Sequence, residues 1–145
     1  MNGLQQLKTF LENTGATGVN QVLFDLNQII NTETNKDYPL VFWDLSSVNF
    51  TDNWKRVKRN LTIKVYIVGR FVREEEFQPD KKISLWDDLE NTFKAYIDYL
   101  DSIRNSYAFT FVGLDAVKGT YYDRGMISVD EEVGVGYQLE IESYC

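Results

Sequence analysis

Two segments dense in branched and aromatic residues, LVFWDLSSVNF over 40–50 and NLTIKVYIVGRFV over 60–72, flank the polar stretch TDNWKRVKR. No other feature constrains the fold as strongly. Such residues fit the pleated, half-buried surface of a strand. The second segment also alternates: Leu61, Ile63, Val65 and Ile67 face one way, and Thr62, Lys64, Tyr66 and Val68 the other. Two runs of this kind joined by a polar turn predict a long extended hairpin. Pro39, just ahead of the first run, suits a strand start or an edge.

Helical periodicity appears on either side of this hairpin. Leu4, Leu7, Phe10 and Leu11 predict a short amphipathic helix, with Gly15 placed to cap it. The segment SLWDDLENTFKAYIDYLDSI predicts a longer one, with Leu85, Leu89, Phe93, Tyr96, Leu100 and Ile103 as its apolar stripe. Ser84 and Asp87 resemble a capping box at its start, and the acids of the first turn suit the helix dipole. Residues 18–30 support two readings. Val22, Phe24 and Leu26 alternate as in a strand, whereas Val22, Leu26, Ile29 and Ile30 fit a helix. Residues 31–37 and the charged run REEEFQPDKK read as loops. Two or three strands follow residue 106. In the last of them Val133, Val135, Tyr137, Leu139 and Ile141 oppose Gly134, Gly136, Gln138, Glu140 and Glu142. The expected fold is a single α+β domain over 1–145: an antiparallel four- to five-stranded sheet with two helices packed on one face.

Composition narrows the chemistry. At 145 residues with 43% hydrophobic content, the chain has enough apolar surface for one packed core. It contains no histidine, which removes the Ser-His-Asp triad, the Cys-His dyad and every His-based zinc site. The single cysteine, Cys145, cannot form an intrachain disulfide. Neighbouring acids occur at Asp87 and Asp88, at Asp130, Glu131 and Glu132, and at Glu140 and Glu142. Acids adjacent on an exposed turn or loop stay solvated, without the raised pKa a general acid needs. GVGYQ lacks the Lys-Ser/Thr of a phosphate loop and lies in an alternating strand, and VDEEVG lacks the ligand spacing of an EF-hand. Glycines 134 and 136 instead mark a site where another backbone or chain comes close. No catalytic residue, metal site or cofactor is expected, and the expectation is a protein that is not an enzyme. Residues 1–15 carry only Lys8 as a base and no long apolar run, and no stretch nears the ~18 apolar residues of a membrane span. The chain is expected to be soluble, with no membrane partner.

Charge is unevenly spread. The net charge is -7, yet seven of the fifteen basic residues fall between 55 and 73: Lys55, Arg56, Lys58, Arg59, Lys64, Arg70 and Arg73. From 123 to 142 there are six acids, Asp123, Asp130, Glu131, Glu132, Glu140 and Glu142, against one base, Arg124. One reading is that hairpin turns are wet and tolerate charge. Another is that a basic hairpin and an acidic strand on opposite flanks let identical subunits pair head to tail, a contact that closes into a ring when the rotation permits. Trp54 beside the charges suits an interface anchor. The expected contact residues are Trp54, Lys55, Arg56, Lys58, Arg59, Arg70 and Arg73 on one side, and Asp130, Glu131, Glu132, Glu140 and Glu142 on the other. Aromatic and basic interleaving also suits single-stranded nucleic acid, but a pI near 4.6 weighs against it.

YPLVFWDL, a charged turn, NLTIKVYIVGRF, then SLWDDLENTFKAYIDYL and a closing strand together resemble the tail terminator or tail completion proteins of tailed bacteriophages. Versions from phages of Bacteroides-type hosts are the most similar. The resemblance runs from about Leu4 to Ser143. It implies a virion structural protein of the head–tail junction, assembled in the bacterial host cytoplasm. Such proteins form hexameric or dodecameric rings that cap a tail tube and join it to the portal and neck. The implied partners are copies of itself, other neck and tail proteins, and DNA sliding through the lumen without specific binding. The resemblance places subunit contacts on the hairpin, at Trp54, Lys55, Arg56, Lys58 and Arg59.

Two rival readings make different structural demands. A small adaptor or ligand-binding domain calls for a concave apolar pocket, with Trp43, Trp86 and Tyr96 as candidate walls. An enzyme working with carboxylates alone calls for a buried acid.

Overall fold

The computed structural model describes residues 3–24, 37–55, 57–70, 79–122 and 132–144. Among the described residues the α-helices and strands are α1 (Leu4–Leu11), β1 (Gln21–Leu23), β2 (Leu40–Asn53), β3 (Lys58–Arg70), α2 (Pro79–Ile103), β4 (Phe109–Val112), β5 (Gly119–Tyr122) and β6 (Glu132–Tyr144). The class is α+β, as expected.

The sheet departs from the expectation in strand number and direction. It has six strands in the order β1-β2-β3-β6-β4, with β5 also pairing β6. It is mixed rather than purely antiparallel, because β1 runs parallel to β2, with Gln21 opposite Leu40 and Leu23 opposite Phe42. Parallel neighbours need a crossover of a dozen or more residues, and residues 24–39 supply the length. Within the ambiguous segment, Gln21–Leu23 form a strand. The helical alternative involving Leu26, Ile29 and Ile30 lies outside the described residues, as does the part of the charged run REEEFQPDKK before residue 79. The rest of that run is helix, not loop: α2 begins at Pro79, ahead of the expected Ser84 start, because proline suits the first turn of a helix, where its missing N–H is not needed.

The hairpin of β2 and β3 is present, but it is not a free arm. β3 is paired with β2 on one side and with β6 on the other along its whole length, from Lys58 opposite Tyr144 to Arg70 opposite Glu132. β2 is interrupted by a bulge between Asp44 and Asn49. Ser47 organises it: its hydroxyl donates to the Asp44 carbonyl at 2.6 Å and accepts the Lys64 amide at 2.9 Å, replacing a ladder bond. The shift reverses the faces of β2. Before it Val41 and Trp43 point into the core. After it Phe50 and Asp52, opposite Leu61 and Arg59, take that side.

Both helices cover one face. Leu7, Phe10 and Leu11 of α1, and Leu89, Phe93, Tyr96, Ile97 and Leu100 of α2, join Val41, Trp43, Leu61, Ile63, Val65, Ile67, Leu139 and Ile141 in the main core. One chain of polar contacts ties three elements together. The Trp43 indole N–H donates to the Tyr96 hydroxyl at 3.0 Å, and that hydroxyl donates to the Leu11 carbonyl. Aromatic stacking extends the core, Phe10 on Phe109 and Phe93 on Tyr137. A smaller apolar cluster, Leu23, Leu40, Phe42 and Val68, lies on the opposite face. Here Gly136 has its explanation. A Cβ at that position would meet the rings of Tyr122 at 2.8 Å and Tyr66 at 2.9 Å. The close neighbours within the chain are therefore aromatic rings of the same sheet rather than another stretch of backbone.

Candidate interaction surface at the end of the hairpin

The turn joining β2 to β3 is the most exposed apolar part of the described chain. Trp54 is 80% exposed, Phe50 60% and Val57 47%. Lys55 beside Trp54 is exposed as well. Val57 has φ +49°, a left-handed conformation that β-branched residues rarely adopt. Surface strain of this kind persists only where the surroundings impose it, and it gathers at contact and switch sites. Trp54 and Lys55, two of the expected contact residues, are exposed; Phe50 and Val57, exposed beside them, were not among those expected. Phe50 closes an aromatic and branched run that reads as a half-buried strand, and nothing in that run marks its ring as exposed.

The charges around the turn are largely engaged within the chain. Arg59 forms an ion pair with Asp52, Nε to Oδ1 at 2.7 Å and Nη2 to Oδ2 at 3.2 Å. Its guanidinium also lies 4.7 Å from the centre of the Phe50 ring, in cation–π geometry. Lys58 pairs with Glu142 across β3 and β6 at 2.8 Å. Glu140 lies opposite Thr62, and Arg70 lies opposite Glu132. The basic strand and the acidic strand are thus neighbours in one sheet, not opposite flanks of the molecule. The side chains of Lys58, Lys64, Glu140 and Glu142 share the face away from the helices, where bases and acids interleave. Arg56, Arg73, Asp130 and Glu131 lie outside the described residues.

The hydrogen bond from Arg59, reinforced by its charge, holds the Asp52 carboxyl below the ordinary carboxylate range. A depressed folded-state pKa gives stabilisation that is present above the unfolded-state value and is lost as pH falls through the folded one. The turn should therefore keep its ion pair until well into acid. Carboxyl NMR titration should find Asp52 with a low pKa that Arg59→Ala returns to the ordinary range. An unshifted Asp52 in the unsubstituted protein contradicts the pairing.

The other expected sites come out differently. Trp43 and Tyr96 are sealed at 0% exposure. Trp86 is half-buried and donates its indole N–H to the Tyr122 carbonyl at 3.2 Å. None of the three lines a groove among the described residues. Glu132 is a buried acid, 2% exposed, and it accepts a hydrogen bond from the Tyr38 hydroxyl at 2.8 Å. None of the described grooves reaches it. Among the described residues no group of three or more acids and cysteines could hold a metal ion. No described helix is long and apolar enough to cross a membrane.

A groove of about 330 Å³ opens between α2 and β6. Phe93, Ile97, Leu114, Val117 and Tyr137 form its apolar floor, and Glu90, Lys94 and Asp98 stand around it. Comparison of the sequence with protein-family models and with curated proteins finds no match.

Proposed function

We propose that this chain is a non-enzymatic assembly protein of the head–tail junction of a tailed bacteriophage, acting as one subunit of a ring. The observation that carries the reading is the aromatic turn. An indole exposed at the end of a paired sheet, beside a second exposed ring and a strained valine, is the composition of an interface anchor. The resemblance to tail terminator proteins assigns subunit contacts to the same hairpin.

The internal ion pairs refine which residues make that contact. Lys58, Arg59 and Glu142 chiefly hold the sheet end in shape, so Trp54, Phe50, Val57 and Lys55 are the contact residues. Charge then contributes specificity and encounter rate more than affinity. The acidic surplus suits a lumen through which DNA slides without sticking, because like charges repel. A ring whose bore is lined by Lys and Arg would remove that part of the reading. The implied setting is the virion, with other neck and tail proteins as neighbours and no cofactor.

Light scattering across a concentration series, at low and high salt, tests the proposal. The unsubstituted protein should reach a mass several times its 16.9 kDa, and electron microscopy should show closed rings. Trp54→Ala should leave the melting temperature within about 2 °C, since an exposed side chain contributes little to folding, and should abolish assembly. A monomer under every condition, or an Ala variant that assembles as well as the parent, overturns it.

A further inference from the structure

The ring reading leaves open where the turn lands on its neighbour, and the structure offers a match on the same chain. Trp54 is 80% exposed, so its own chain does not house it. The groove between α2 and β6 has an apolar, aromatic floor and a volume of about 330 Å³. That is the lower limit of pockets that hold small organic ligands, and on the scale of one aromatic side chain. Charge matches as well. Lys55 stands exposed beside Trp54, whereas Lys58 and Arg59 of the same turn are already paired with Glu142 and Asp52. From Asp87 to Asp101, α2 contains five acids, Asp87, Asp88, Glu90, Asp98 and Asp101, and one base, Lys94. Glu90, Lys94 and Asp98 lie at the groove, two acids against one base, and Glu90 also accepts a hydrogen bond from the Tyr121 hydroxyl.

We propose that Trp54 of one copy seats in the groove between α2 and β6 of a second copy, with Lys55 directed at Glu90 and Asp98. This rests on the ring reading above. The occupant is a second copy of this chain because knob and hole are on one polypeptide, and their charge is opposite. Each subunit has one knob and one hole on different surfaces, so the contact is heterologous. Repetition continues until the ring closes. An aromatic knob in an apolar hole rimmed by charge is also the arrangement in which a few buried anchors dominate binding while the rim excludes water.

Two variants that each lack one half of the contact test it by sedimentation. The knob variant is Trp54→Ala with Lys55→Glu. The hole variant is Asn91→Arg with Asp98→Arg, both exposed positions on α2, with unchanged circular dichroism as the folding control. Each alone should stay monomeric, self-association weakening at least ~30-fold for the knob variant and about 10-fold for the hole variant. Mixed in equal amounts they should form one-to-one dimers and nothing larger, because the mixture holds one intact knob facing one intact hole.

Failure separates the two levels of the argument. If the parent protein assembles and the hole variant assembles equally well, the groove is not the receptor, while the ring reading stands. A mixture that stays monomeric where the parent assembles also removes the groove. A parent protein that never assembles, together with an inert mixture, removes both.

Discussion

Trp43→Ala is expected to lower the unfolding free energy by about 3–5 kcal/mol, the usual range for deleting a buried large aromatic. Trp43 is fully buried at the start of β2, among residues of both helices and of the sheet. Its removal leaves a cavity where three elements meet, and it deprives Tyr96 of the indole N–H donor. For a chain of this length the loss corresponds to ~10–15 °C in melting temperature. It is a large fraction of the roughly 5–15 kcal/mol that holds a domain folded. Trp43→Phe keeps most of the volume and loses the hydrogen bond, so it should cost about 1–2 kcal/mol. Urea unfolding of the two variants checks the ordering. A Trp43→Ala protein within 1 kcal/mol of the parent, by the same scale, would mean that the indole is not the keystone of this core.

Tyr96→Phe is expected to change the alkaline limb of the stability profile. Burial pushes the Tyr96 hydroxyl well above the ordinary tyrosine range, because the phenolate would have to form in the core. The hydroxyl is also the donor to the Leu11 carbonyl. A folded-state pKa above the unfolded one gives stabilisation that is complete below the unfolded value, near 10, and is lost as pH rises beyond it. The loss from this one group is about 1.4 kcal/mol per pH unit, or ~3 kcal/mol by pH 12. Burial shifts Tyr66 and Tyr137 in the same direction, so the parent curve should be steeper still. Tyr96→Phe should cost about 1–3 kcal/mol near neutrality, since it strips partners from buried groups. Above pH 10 its curve should be shallower by one proton. Equal slopes for parent and variant would show that water reaches the hydroxyl.

The features legible in the sequence are those whose physics is local. The stripe from Leu85 to Leu100 needs only a 3.6-residue period, and α2 is present where it points. The alternation from Leu61 to Ile67 needs only a period of two, and β3 follows it. Trp54 and Lys55 were legible because a polar turn between two strands ends at a surface. The bulge in β2 was not. Its cause is a set of Ser47 and Asp44 hydrogen bonds, one of them to Lys64 on the partner strand. Without that partner the segment reads as an unbroken strand.

The charge pattern divides in the same way. Bases cluster over 55–73 and acids over 123–142, and both clusters are plain in the sequence. Their relation belongs to the register of β3 against β6, which sets Lys58 beside Glu142 and Arg70 opposite Glu132. Periodicity and turn chemistry act over a few residues, so the sequence by itself determined the class, the two helices, the hairpin and its exposed tryptophan. Strand order, the parallel β1, the reversed face of β2 and the pairing of acid with base depend on contacts between distant segments. Only the tertiary structure decided those, because burial and register are properties of the packed chain.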